Sequence, residues 1–282
     1  MKLKPIDSWS LLWGLIYFTV CLFLSQTALC GTFAARISPP NFELKAKPGD
    51  VLRQVIAIDN AGEDEAVYQI RTADWDLGET GGVRIFPADQ PMPPGSCRPW
   101  TRIERRTFKL LPNRRKKFRF EVHVPEDATN RECRFAIVIS PPPDTVNAMN
   151  IGNIQIPVAG AIAVIVYVAV GDAKPDLEFK SIDLKSNEAD SPPVILLHNK
   201  GSAHARPFGN VQITDAAGQK AELILSSFPI LPGRTTGINL SIDPEFSEIQ
   251  NISKLKPPLH LKGLIEWDGG EYKLDTVLSA QP

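Results

Sequence analysis

The sequence predicts an all-β fold of two tandem β-sandwich domains. Three observations carry this. Phe118, Phe120, Val122 and Val124 alternate with Arg119, Glu121 and His123, the two-residue period of a half-buried strand. Short apolar runs of this kind recur along the chain, each closed by Asn, Asp, Gly or Pro. No stretch shows the 3.6-residue period of an amphipathic helix. The chain has 282 residues, 43% of them apolar and 22% charged, enough for two domains with real cores.

The elements follow in chain order. Residues 1–35 read as a cleavable export signal, with Lys2 and Lys4 before the apolar run Leu11–Leu24 and small residues at Ala28, Ala34 and Ala35. A retained N-terminal anchor is the alternative. Cys30 raises a lipid-attachment site, against which bulky Leu29 stands. Strands are expected at Val51–Ile58, closed by Asn60-Ala61-Gly62, and at Val67–Ala73, Phe118–Val124 and Phe135–Ile139. Pro141-Pro142-Pro143 stops the last, because proline brings no N–H to a ladder. In the second half the strands are Val194–Leu197, Val211–Thr214, Leu223–Leu225, Ile238–Ile242, Leu259–Glu266 and Glu271–Val277. Asp268-Gly269-Gly270 makes the hairpin between the last two. Gly171-Asp172-Ala173-Lys174-Pro175 is the best linker, which places the domains at 36–171 and 172–282.

The segment Ile151–Val170 carries no charge and is long enough for a membrane-spanning helix. Its pattern argues for a strand instead. Large residues fall on even positions (Ile154, Ile156, Val158, Ile162, Val164, Val166, Val168, Val170), and small or polar ones dominate the odd positions from Asn153 to Ala163. At about 3.3 Å per residue such a strand would run to about 65 Å, more than a sandwich needs. It should therefore bend or break near Pro157 or Gly160. Pro157 confines its segment to an edge or a strand start, and an apolar edge is kept where a partner strand docks.

Other signals exclude more than they assign. A formal net charge of −1 gives no global attraction to nucleic acid or to an acidic membrane. With the signal removed, Cys97 and Cys133 remain; an even count in an exported chain reads as a disulfide worth about 3–4 kcal/mol in the chain-entropy model. The cysteines lack metal-site spacing and the four histidines are scattered, so no metal and no cofactor is expected. Arg102, Arg105, Arg106, Arg114, Arg115, Lys116, Lys117 and Arg119 form a basic cluster. It reads most simply as a turn and solvated strand faces, with reception of an acidic partner as the alternative. Asp74-Trp75-Asp76 lacks a nearby His or pocket signal and reads as turn residues rather than a catalytic pair. No nucleophile elbow, phosphate loop, zinc-protease or dinucleotide motif is present. Trp100, beside Cys97, and Trp267 read as core.

Read in order, several segments resemble the periplasmic pilus-assembly chaperones of chaperone–usher systems. They are Ile37-Ser38-Pro39, Val55–Asn60, Arg98–Ile103 with Phe108–Pro112, Cys133–Ile137 running into the prolines, and Asn153–Val158. In the second half they are His198–Gly201, Gly209-Asn210-Val211, Asp215–Gly218, Leu231-Pro232-Gly233 and Gly263–Trp267. The resemblance covers nearly all of the chain after residue 35. It implies two immunoglobulin-like β-sandwich domains in a boomerang arrangement, no catalysis, and a periplasmic location. It implies pilus subunits and an outer-membrane usher as partners, with no nucleic acid, no small-molecule substrate and no stable membrane insertion after signal cleavage. Ile154, Ile156 and Val158, with Ile162 beyond them, would fill the groove of a subunit that lacks its last strand. The family anchors the subunit's terminal carboxylate with an Arg and a Lys; Asn41 and Ala163 stand at those positions here. A neutral pair provides no charge-assisted clamp. A structural or adhesive cell-envelope protein on the same sandwiches is the alternative reading.

Overall fold

The computed structural model describes residues 34–78, 81–87, 89–142, 147–151, 154–158, 160–183, 193–247, 249 and 252–279, with the side chains of 147–151, 154–158 and 253 set aside. Nearly every element is a strand. The first domain packs two sheets face to face. One has the order β1-β3-β9-β7, from β1 (Ala35–Ser38), β3 (Val51–Asn60), β9 (Arg115–His123) and β7 (Thr101–Ile103). The other has the order β2-β13-β10-β4-β8, from β2 (Asn41–Ala46), β13 (Ile162–Val170), β10 (Glu132–Ser140), β4 (Ala66–Ala73) and β8 (Thr107–Leu110). The chain passes from β1 in one sheet to β2 in the other through Pro39-Pro40, with a cis bond at Ser38–Pro39. β1 starts at Ala35, the residue on which the signal reading closes.

Alternation in the sequence builds the core between the sheets. Phe118, Phe120 and Val122 of β9 are buried while Arg115, Lys117 and Arg119 face outward. They meet Ile56 and Ile58 of β3 and, from the other sheet, Phe135, Ile137 and Ile139 of β10 with Val164, Val166 and Val168 of β13. Phe120 lies edge-on to Phe42 and to Phe135, at centroid distances of 5.3 and 6.3 Å. Cys97 and Cys133 are bonded inside this core, with Cα atoms 5.4 Å apart. Trp100 is half-buried against the same cluster, and Trp267 is buried in the second domain's core.

The second domain is one seven-stranded sheet in the order β14-β15-β18-β17-β16-β19-β20. Its strands are β14 (Leu177–Asp183), β15 (Val194–Asn199), β16 (Asn210–Thr214), β17 (Lys220–Leu225), β18 (Thr235–Ile242), β19 (Leu259–Trp267) and β20 (Gly270–Leu278). The sheet curls until its first and last strands meet, where the rings of Phe179 and Tyr272 stack at 4.9 Å. Ile195, Leu197, Ile213, Leu223, Ile238, Leu240, Leu261 and Ile265 fill the interior.

One corner occurs in both domains. Asn60, at the end of β3, donates through Nδ2 to the carbonyls of Asp64 and Leu110 and accepts at Oδ1 from the Gly62 N–H. Asn199, at the end of β15, donates through Nδ2 to the carbonyls of Ala203 and Ile230 and accepts at Oδ1 from the Gly201 N–H. The receiving loops share a pattern, Leu110-Leu111-Pro112-Asn113-Arg114 and Ile230-Leu231-Pro232-Gly233-Arg234. Asn113 and Gly233 hold the same left-handed turn position, at φ 56° and 71°. A short polar side chain that satisfies three backbone groups is what lets each turn close without orphaned donors.

Candidate functional site

The segment Ile151–Val170 is two strands. β12 (Ile154–Val158) pairs antiparallel with β11 (Asn147–Ile151), from Asn147 opposite Val158 to Ile151 opposite Ile154. β12 ends at Val158 and β13 begins at Ile162, with Gly160 between the two strands. Among the described residues β12 pairs with β11 alone, on one side. Its Pro157 sits opposite Ala148 in that two-stranded ribbon. The side chains of Ile154, Ile156 and Val158 lie outside the described ones.

β13 does the opposite. It is held on both sides, antiparallel to β10 and parallel to β2. Its even positions from Val164 to Val170 are buried in the sandwich. The odd positions do not stay small: Ile165 and Tyr167 join Trp75, Val138, Ala136 and Leu231 in a second apolar layer outside the sheet. Leu231 belongs to the second domain, so this face of β13 is a domain joint rather than a free surface. Ile162 is half-buried opposite Ile139. Ala163 is half-buried opposite Val138 and packs on the outer layer. Asn41 opens β2 opposite Ile165, so the two neutral positions sit on adjacent strands, two residues out of register.

A cleft of about 600 Å³ lies between the domains, lined by Glu43, Glu132, Tyr167, His204, Arg206 and Trp267 among others, but by neither Asn41 nor Ala163. Every basic group on it faces a carboxylate. Arg206 Nε donates to Glu43 Oε1 at 2.8 Å. His204 Nδ1 donates to Glu132 Oε2 at 2.6 Å, and its Nε2 is 3.4 Å from Glu43 Oε1. Lys45 Nζ is 3.6 Å from Asp268. The His204 ring stacks on Tyr167 at 3.9 Å, and the Glu132 N–H donates to the Ser202 carbonyl at 2.8 Å. Burial pushes the Glu43 carboxyl up, but the Arg206 hydrogen bond and the charges of His204 and Arg206 outweigh it and hold it below the usual range. Burial raises the Tyr167 hydroxyl, which stays neutral. The network therefore ties the domains together and leaves no unpaired cation for a bound carboxylate among the described residues that line this cleft.

Asp74 and Asp76 are likewise structural. The chain forms a small hairpin there, β5 (Trp75–Leu77) with β6 (Val83–Ile85), rather than a turn. Buried Asp74 accepts from Ser96 Oγ at 2.5 Å and meets Arg98 at 3.1 Å. Asp76 binds Arg134 at 3.2 Å and, across the joint, Arg234 at 2.7 Å. Trp75 is fully buried, its Nε1 donating to the Phe135 carbonyl at 3.0 Å. Sequence reasoning missed all of these joint residues. Their partners lie 72, 158 and 163 positions away for Glu132–His204, Asp76–Arg234 and Glu43–Arg206, and no spacing rule links them.

Fold and site together define a disulfide-bonded pair of β-sandwich domains with a closed joint and two hairpins, β5–β6 and β11–β12, outside the larger sheets. Among solved structures the chain is similar to the YadV chaperone, at 12% identity and TM-score 0.45, covering 86% of this chain and 99% of that one. It is also similar to the Pseudomonas aeruginosa CupB2 chaperone (12%, TM-score 0.42, 86% and 100%) and the E. coli chaperone DraB (12%, TM-score 0.43, 87% and 99%). No family model and no curated protein matches the chain. No group of His, Cys, Asp and Glu that would hold a metal occurs among the described residues, and no helix there is long and apolar enough to cross a membrane.

Proposed function

We propose that the protein is an exported chaperone that holds pilus-type subunits by lending them the strand Ile154–Val158 until an outer-membrane usher takes them over. The observation that carries the reading is the pairing of β12: one edge bound to β11, the other without a strand among the described residues. An edge of this kind adds a strand to an incomplete sheet through backbone hydrogen bonds. Ile154, Ile156 and Val158 occupy alternate positions of it. Burying three such side chains is worth about 5–9 kcal/mol gross, much of it offset by the cost of association. The role needs no cofactor and no catalysis, and it places the protein in the periplasm. The balanced charges of the cleft support a hold by apolar fit and backbone pairing, with no carboxylate clamp at Asn41 and Ala163.

The test is co-expression with a pilin-type subunit whose own sandwich lacks its last strand. Ile154→Glu with Ile156→Glu should cut the yield of soluble subunit at least tenfold and leave the Cys97–Cys133 bond and the unfolding midpoint unchanged. Full capture by that variant sinks the reading. The missing clamp also favours a second reading, a structural or adhesive envelope protein, for which the same variant leaves partner binding intact.

A further inference from the structure

The structure sorts the basic residues of the first domain by face. The outward side of the sheet β1-β3-β9-β7 carries six cations, Arg36, Arg53, Arg102, Arg115, Lys117 and Arg119, with His123 beside Glu121, against three carboxylates, Asp59, Glu121 and, one residue past β7, Glu104. The strand registers place them in one field: Arg36 beside Asp59, Asp59 beside Arg115, Arg53 and Arg102 on either side of Glu121. Internal pairing uses part of it. Arg115 holds Asp59 bidentately at 2.6 and 2.8 Å, and Arg53 holds Glu121 at 2.9 Å. Arg119 reaches Glu104 only at 3.7 Å, and Arg36 feels Asp59 only through space. Among the described residues Arg102 and Lys117 have no carboxylate within ion-pair distance.

The matching face of the second domain shows what a solvated sheet looks like in this protein. On β17, β19 and β20 the cations Lys220, Lys262 and Lys273 stand against Glu222, Glu266, Glu271 and Asp275, close to balance. The excess on the first domain is therefore not a general property of its surfaces. The field also contains apolar Val51 and Val55, 38% and 42% exposed. Strands about 4.8 Å apart, with alternate residues about 6.7 Å apart along each, make it a flat grid rather than a pocket.

We propose that this face docks on an anionic membrane surface, its cations against lipid phosphates and its two valines at the headgroup boundary. A flat cationic grid with embedded apolar side chains fits a lipid surface, which takes both at once. The docking is independent of β12 and of the reading proposed for it.

The exported protein is to be sedimented with vesicles of phosphatidylcholine alone or with one-third phosphatidylglycerol. At 0.1 M salt, binding to the anionic vesicles should be at least about tenfold stronger, and it should vanish by 0.5 M, where screening shortens to a few ångströms. The variant R36E/R102E/K117E should fall to the level of neutral vesicles, while K220E/K262E/K273E on the second domain keeps wild-type binding. If charge reversal prevents folding, R36Q/R102Q/K117Q should still lose most of the binding. Equal binding to both vesicles, or full binding by the R36Q/R102Q/K117Q variant, overturns the proposal. So does binding of soluble poly-glutamate without binding of vesicles, which would make the partner an acidic polypeptide.

Discussion

The corner at Asn60 and the corner at Asn199 are built alike and used differently. In both, the asparagine N–H donates to an arginine carbonyl, of Arg114 or Arg234, and its carbonyl accepts from the residue before that arginine, Asn113 or Gly233. What differs lies around them. Leu111 is 56% exposed at the first corner; its counterpart Leu231 is 2% exposed, in the layer with Trp75 and Tyr167. Arg114 stands in solvent, whereas Arg234 crosses to Asp76. Asn199 Oδ1 also accepts from the Asp176 N–H in the segment joining the domains. One local device thus closes a turn in the first domain, and in the second it also forms half of the joint. Local sequence sets the turn; the surroundings decide whether it bears a second load.

The sharpest way to break this comparison is to remove the asparagines. Asn199→Ala removes hydrogen bonds from two buried carbonyls and two N–H groups, of which the Ile230 carbonyl keeps the Ala205 N–H, and should cost about 3–4 kcal/mol. Asn60→Ala loses one fewer and should cost about 2–3 kcal/mol. Urea unfolding followed separately by Trp fluorescence and by disulfide protection would show which domain is hit. A smaller loss at Asn199 than at Asn60 would remove the idea that the second corner bears the joint.

The leucines test the same point through packing. Leu231→Ala should cost about 2–3 kcal/mol, as for a buried leucine, and Leu111→Ala under about 0.5 kcal/mol. Thermal unfolding of the two variants side by side decides it, and equal shifts would refute a packed joint. The glycines follow. A Cβ on Gly201 would stand 2.5 Å from backbone atoms of Lys174 and Asp176. On Gly62 it would meet only the Asn60 Oδ1 at 3.2 Å and a methyl at 3.6 Å. Gly201→Ala should therefore destabilise by about 2 kcal/mol and Gly62→Ala by about 0.5–1 kcal/mol. A sharper readout is proteolysis in the 171–176 segment, which should accelerate for the Gly201 variant alone.

Much of this fold is legible in the sequence because strands with one solvated face keep a strict two-residue period. Phe118–Val124 and the hairpin at Asp268-Gly269-Gly270 are of that kind. β14 is not: a bulge between Phe179 and Ser181 breaks its alternation, and its Leu-Glu-Phe-Lys-Ser-Ile-Asp reads as no clear period. β5 and β6 are three residues each, too short to show one. On β13 the alternation predicts the buried even face correctly, but the odd face is covered by another domain, and Tyr167 there answers to His204 rather than to its own strand. For the candidate site, the strand Ile154–Val158 and the break before Ile162 follow from Pro157, Gly160 and the period. The cleft does not, since a charge network between residues far apart in the chain leaves no local pattern.

The smallest effect belongs to the ion pair that only one corner makes. Arg234 Nη2 lies 2.7 Å from Asp76, but the arginine side chain is 58% exposed, and Arg134 remains beside the same carboxylate at 3.2 Å. Solvent screens such a pair, and its second cation keeps Asp76 from being left alone, so Arg234→Ala should cost only about 0.5–1 kcal/mol. Arg114→Ala, with no partner for its side chain among the described residues, should cost nothing measurable. A double-mutant cycle over Arg234→Ala and Asp76→Ala isolates the coupling from whatever else each change does. Raising salt from 0.1 to 1 M shortens the screening length from about 10 to about 3 Å, and the coupling energy should shrink with it. A coupling that is absent at low salt would mean that Leu231 and Asn199 hold the joint without Arg234, and that the two corners differ in packing alone.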